Sequence, residues 1–293
     1  MHHPPDEILR ASSEDGWLRL IAVRTTTLTE SARRRHHTSP VATAALGRTL
    51  TGCLMLGELS LAAASSRLTL RLIGDGPLAA VIADCDGRGR VRGYVSRPTV
   101  ELPLRADGKL AVGQALGHGQ LVVSRDLADG QIYTSSVPMQ SGEIGEDLAA
   151  YLDASDQIPS AVGLGVRLDR SGRVVGAGGW LVQLMPGGEA HLGLIQNSTA
   201  SMPPISQLMA DSTDLSAVLA LLAPGLSVQE SSRHSVSFRC TCSLRRARRA
   251  VAMLGPDTLA DLVAIGQDVE TRCHFCNRCF RIPVAEFSAL TAR

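Results

Sequence analysis

Apolar and polar positions change period several times along the chain, and each change marks an element. Trp17–Arg24 (WLRLIAVR) reads as a strand. The polar run TTTLTESARRRHHTSP after it reads as a connection, ending in a Ser39-Pro40 pair that suits an N-cap and first helical turn. Val41–Ala64 then has helical composition. Arg67–Ile73 alternates, with Leu68, Leu70 and Leu72 on one face. Turns at Gly74-Asp75-Gly76-Pro77 and Asp86-Gly87-Arg88-Gly89 separate strands at Leu78–Cys85 and Val91–Ser96, a meander that implies antiparallel sheet. Further strands are expected at Gln120–Arg125 and Ile132–Val137, a helix at Glu143–Ser155, and a strand pair, Ala161–Leu168 and Arg173–Met185, around the Asp169–Gly172 turn.

The pattern shifts after Pro186-Gly187-Gly188. From 190 to about 232 it predicts short helices at Ser206–Met209 and Leu215–Leu222, separated by Pro203, Pro204, Pro224 and Gly225, with no strand signal. The rest is small and rich in arginine and cysteine. Irregular alternation of strand and helix favours an α+β fold over a doubly wound one. The expected organisation is an N-terminal α+β core (1–187) with antiparallel sheets and packed helices, a helical linker (188–232) and a small C-terminal cysteine-rich domain (233–293).

Composition narrows the choice of function. Hydrophobic residues make up 44% of the 293 positions, enough for a packed core, but aromatics only 3%. The formal charge of +1 excludes the whole chain as a polycation for nucleic acid or anionic membrane. The balance is uneven, however: from Arg233 onward 10 basic residues face 5 acidic ones. The start, MHHPPDEILRASSEDGW, lacks the apolar core of a signal peptide, and apolar runs such as Leu215–Leu226 are too short to span a bilayer. The expected home is therefore the cytoplasm, where thiols stay reduced.

Five of the seven cysteines fall in the last fifth of the chain. Cys240-Thr-Cys242 and Cys273-His-Phe-Cys276, thirty residues apart, form two close pairs. Four soft thiolates suit tetrahedral zinc, and residues i and i+2 of an extended segment point the same way. A block of about sixty residues is too small for a convincing core of its own, so a structural metal would supply much of its folding energy. The closed shell argues against a hydrolytic zinc enzyme. Thiolates are also oxidisable, so pairing them into disulfides would remove the ligands and that folding energy together. Nearby arginines (Arg239, Arg245, Arg246, Arg248, Arg249, Arg272, Arg278) read equally as a solvated helix face or as charges that favour the thiolates. Cys53 is expected to pack in its helix and Cys85 to end a strand. His36, His37, His118 and His191 have no partners at metal spacing, His274 sits beside the ligands rather than among them, and the glycine-rich stretches read as turns rather than phosphate loops.

The sequence resembles the family of redox-regulated chaperones known as 33 kDa chaperonin, or heat shock protein 33. The resemblance runs through SPVATAALGRTL (39–50), GDGPL (74–78), VRGYV (91–95), VGQALGHGQLVV (112–123), YTSSV (133–137), GEIGEDLAAYLDASDQIPSAVGLGV (142–166), AGGWLVQLMP (177–186), FRCTCS (238–243) and RCHFCNRCF (272–280). It implies an ATP-independent holdase rather than an enzyme. In the reduced, inactive form zinc is held by Cys240, Cys242, Cys273 and Cys276. Oxidation is implied to form disulfides Cys240–Cys242 and Cys273–Cys276, release the zinc, loosen the linker and expose apolar surface that captures unfolding proteins, with a homodimer as the active form.

Two features depart from the family pattern. Cys279 adds an extra thiol, which reads as a spare cysteine or else as an alternative ligand or disulfide partner, and LRRARR follows the C-x-C pair where an acidic residue is usual. The competing reading is a zinc-dependent nucleic-acid-binding module built on the arginine-rich C-terminal block. The scarcity of aromatic stacking platforms and the large acidic N-terminal part count against it.

Overall fold

The structure, a computed structural model, describes residues 4–127 and 130–286. It groups the chain into two compact units, Met1–Arg239 and Cys240–Arg293.

In chain order the first unit contains β1 (Glu7–Ser13), β2 (Leu18–Arg24), α1 (Thr26–His36), α2 (Pro40–Ser60), β3 (Arg67–Gly74), β4 (Ala80–Asp86), β5 (Arg90–Val95), α3 (Val112–Leu116), β6 (Gly119–Asp126), β7 (Ile132–Pro138), α4 (Gly145–Tyr151), β8 (Ser160–Leu168), β9 (Val174–Leu184), α5 (Leu192–Ala200), α6 (Ile205–Ala210), α7 (Leu215–Leu222), β10 (Val228–Ser235) and β11 (Ser237–Phe238). Among the described residues the strands form a five-stranded sheet, β10-β1-β2-β9-β8, and a six-stranded sheet, β11-β5-β4-β3-β6-β7. All pairings are antiparallel except β11 with β5. This is the expected α+β class.

Helix α2 lies in the main core. Its Ser39 N-cap accepts the Ala42 N–H, Pro40 opens the first turn, and every residue from Val41 to Gly57 except Arg48 is buried. A helix apolar on all sides belongs between layers. One face of the five-stranded sheet (Ile8, Ile21, Val23) and one face of the six-stranded sheet (Leu68, Leu70, Leu72, Val81) share this core with it. The opposite face of the five-stranded sheet is also buried: Leu9, Ala11, Leu18, Leu20, Ala22, Trp180 and Val182 pack with Ile195, Ile205, Met209, Leu215, Val218, Leu219 and Leu222 of α5, α6 and α7. Burial on both faces explains the nearly unbroken apolar run of β2. Helices α5, α6 and α7 therefore cover an apolar sheet face.

Helix α6 comes unusually close to that sheet. A Cβ added at Gly176 would lie inside van der Waals contact of the Ser206 carbonyl and 2.7 Å from the Ala210 amide nitrogen. One added at Gly165 would lie 2.9 Å from the Ser206 amide nitrogen. Glycines on β8 and β9 thus leave a trough for the helix backbone.

Three elements differ from the sequence expectation. The stretch read as a polar connection contains α1, whose first-turn N–H groups are met from far along the chain: the Asp6 carboxylate accepts from Thr27 N at 3.1 Å and Leu28 N at 2.6 Å. The polar N-terminal segment forms β1, buried between β2 and β10. The segment expected to be helical to 232 ends in a strand: β10 pairs with β1 from Ser13↔Val228 to Glu7↔Ser235. Its sequence, VQESSRHS, is mostly exposed, so backbone pairing rather than apolar alternation defines it.

The second unit contains α8 (Leu244–Ala252), α9 (Pro256–Ile265) and a hairpin of β12 (Val269–Arg272) and β13 (Cys279–Ile282). Its buried apolar cluster consists of Ala247, Val251, Phe280 and Ile282 among the described residues. No described helix is long and apolar enough to cross a membrane.

Candidate metal centre

Two short motifs deliver the sulfurs. Cys240 and Cys242 lie in the extended stretch before α8, which begins where Ser243 Oγ accepts the Arg246 N–H. Cys273 and Cys276 occupy a tight turn between β12 and β13. There the Cys273 carbonyl accepts N–H groups from Cys276 (3.3 Å) and Asn277 (2.8 Å), and the Cys273 N–H donates to Arg278 O at 2.9 Å. Asn277 turns the chain back with a φ of 57°, a left-handed conformation that asparagine tolerates well.

The four sulfurs, from Cys240, Cys242, Cys273 and Cys276, all lie within 4.8 Å of one another. Cys240 and Cys273 are 3.7 Å apart, and Cys242 and Cys276 are 3.4 Å apart. A zinc–sulfur bond of about 2.3 Å gives a tetrahedron with edges of about 3.8 Å, so the cluster fits such an ion. Burial, reinforced by the neighbouring sulfurs, holds the Cys242 and Cys273 thiols above their ordinary range. Thiolates gathered this closely call for a compensating cation, which a divalent ion would supply.

The remaining sequence candidates stand apart. Cys279 is exposed, with Sγ 3.8 Å from Glu270 Oε2, and is not in the four-sulfur group. His274 is exposed and likewise outside it. Several arginines expected to serve the thiolates have other partners: Arg248 pairs with Glu286, Arg278 lies 5.1 Å over the Phe280 ring, and Arg246 donates to the Thr241 hydroxyl. Cys53 and Cys85 are buried in the first unit, where the Cys85 thiol donates to the Cys53 carbonyl at 3.2 Å. Burial pushes the Cys53 thiol well up, which makes it unreactive.

A family model described as Hsp33 protein matches residues 6–283. The chain belongs to the Hsp33 family. Similar proteins named 33 kDa chaperonin include one from Symbiobacterium thermophilum, 45% identical over 96% of this chain and 95% of its own, and one from Thermus thermophilus, 43% identical over 97% and 86%. The fold matches a solved structure of the Thermotoga maritima 33 kDa chaperonin, a heat shock protein 33 homologue, with a TM-score of 0.90 and 34% identity, covering 100% of this chain and 98% of that one. The Hsp33 family is one of chaperones, so chaperone function follows for the chain. The geometry adds that the four cysteines singled out in the sequence come together into one possible metal site.

Proposed function

We propose that this chain is an oxidation-activated, ATP-independent holdase, with Cys240, Cys242, Cys273 and Cys276 holding one zinc ion in the reduced, inactive state. The observation that carries this reading is the convergence of four sulfurs from two distant pairs in a unit with only four buried apolar residues in its described core. Bound zinc would supply a closed, non-hydrolytic cross-link between the two pairs and much of the unit's folding energy.

The switch belongs to the sulfurs. Two thiols and one peroxide become one S–S bond and two waters, so two peroxides consume all four donors. A disulfide has no thiolate left to bind a cation. The resulting pairing decides the consequence. Cys240–Cys242 and Cys273–Cys276 bonds leave the two arms unconnected and release the unit. Bonds along the cross-contacts, Cys240–Cys273 at 3.7 Å and Cys242–Cys276 at 3.4 Å, would staple the arms together. Activation therefore requires the pairing between sequence neighbours that the family resemblance implies.

The receptive surface is the apolar sheet face under α5, α6 and α7, which would be uncovered as the linker loosens after the second unit unfolds. A large exposed apolar face captures unfolding chains without sequence preference. The active form is a homodimer acting in the cytoplasm on aggregation-prone clients. The test is suppression of aggregation of a chemically unfolded client by peroxide-treated and by reduced protein. Activity in the oxidised sample alone supports the switch; equal activity in both contradicts it.

A further inference from the structure

We propose that the outward face of α8 is a binding surface for single-stranded RNA, which it holds through the phosphate backbone without sequence preference. This inference does not depend on the holdase reading.

Helix α8, LRRARRAVA, places four arginines in nine residues. Its inward side is fixed by Ala247 and Val251, which are buried with Phe280 and Ile282. At helical spacing Arg249 falls roughly opposite those two residues, with Arg245 one turn before it and Arg246 beside it. All three are exposed. Arg246 donates to the neutral Thr241 hydroxyl, and among the described residues Arg245, Arg246 and Arg249 have no carboxylate within ion-pair distance. The fourth, Arg248, pairs with Glu286 in an exposed, readily exchanged ion pair. Asp268 is already paired with Arg281, and Glu270 faces Cys279.

The placement of these charges is itself unfavourable for the isolated helix. Arg245 and Arg246 sit in the first turn of α8, which holds no acidic residue, at the positive end of the helix dipole. An anion on this face relieves both the mutual repulsion of the arginines and the clash with the dipole.

Chemistry selects the partner. Arginine grips phosphate bidentately, and its plane stacks on bases, which offsets the shortage of aromatic platforms. Residues one helical turn apart are about 5–6 Å apart at Cβ, a spacing that lets neighbouring arginines reach successive phosphates of a flexible strand. A membrane fits less well, because an interfacial helix must bury its apolar side in lipid and α8 has already committed that side to Phe280 and Ile282.

The experiment uses the full-length, reduced, zinc-loaded protein and a fluorescein-labelled 20-nucleotide poly(U) strand, with binding read by anisotropy from 50 to 200 mM KCl. Three contacted phosphates predict a log–log salt slope of about −2, or roughly a 20-fold loss of affinity across that range. Arg245→Glu with Arg249→Glu should weaken binding at 50 mM salt at least about tenfold and flatten the slope by more than 1, while zinc content and circular dichroism stay unchanged. Arg167→Glu with Arg170→Glu, in the first unit, should leave binding as it was. The proposal is overturned by absent binding at 50 mM salt, by equal binding of the α8 double variant, or by preference for phosphatidylglycerol vesicles over the RNA. Oxidant-activated holdase function in the α8 variant is measured separately, so failure of either idea leaves the other intact.

Discussion

The sulfurs of Cys242 and Cys276 stand 3.4 Å apart although 34 positions separate them in the chain. The apolar cluster beside it is small among the described residues: Ala247, Val251, Phe280 and Ile282 are buried, with Leu262, Val263 and Val269 partly buried against them. If one cation holds the four sulfurs together, its removal should unfold the second unit and spare the first. A strong chelator added to reduced protein should abolish protection from amide exchange across 240–286 while the strands of the first unit remain protected. Cys242→Ser or Cys276→Ser should reproduce this without chelator. Protection that persists after complete metal removal would show that packing alone suffices.

The disulfide pairing is open to direct mapping. Peptides from fully oxidised, active protein should show Cys240 joined to Cys242 and Cys273 joined to Cys276, with Cys53 and Cys85 reduced. Predominant cross-pairing, Cys240–Cys273 or Cys242–Cys276, in the active fraction would contradict release by uncoupling the arms.

The trough under α6 predicts activation without oxidation. Gly176→Ala places a methyl group against the Ser206 carbonyl, and an overpacked contact of this kind costs about 1–3 kcal/mol. The reduced variant should bind an apolar dye more strongly and suppress aggregation while retaining its metal. Gly193→Ala on α5 is the control, since a Cβ there meets nothing within 4 Å. Unchanged dye binding by a folded Gly176→Ala protein would mean that α6 does not gate the surface.

Asp6 makes a pH prediction. Burial raises its pKa from 3.8 to about 6, against the opposing pull of the Thr27 and Leu28 N–H groups and Arg24. Between those two values the folded chain keeps a proton that the unfolded chain has released. The stability this group contributes is therefore full below about pH 4 and is lost as pH rises through 6, by about 3 kcal/mol at most. Relative to wild type, Asp6→Asn should gain stability between pH 4 and pH 7 in denaturant titrations. A constant difference across that range would contradict the assignment.

What the sequence reveals, and what it hides, follows from where each signal lies. The α2 start, the β3–β5 meander and the cysteine pairs are local patterns, readable from a few adjacent residues. The same holds for α7, where Asp214 caps Leu215–Leu222 by accepting the Ser216 N–H. Helix α1 is hidden because the carboxylate meeting its first N–H groups comes from Asp6, about twenty positions earlier. Strand β10 is hidden because an exposed edge strand needs no alternation, only a partner backbone, here β1. The cysteine spacing points to a four-sulfur cluster, but it gives no sign that sulfurs of different pairs come as close as 3.4 and 3.7 Å.

The central claim is that loss of the metal and gain of client binding are one event. The direct measurement is a peroxide titration of zinc-loaded protein in which released zinc and suppression of client aggregation are read from the same samples. The account predicts one zinc per chain at the start and an activity that rises in proportion to the zinc released. Full release with no gain in activity, or full activity with the metal still bound, would contradict it.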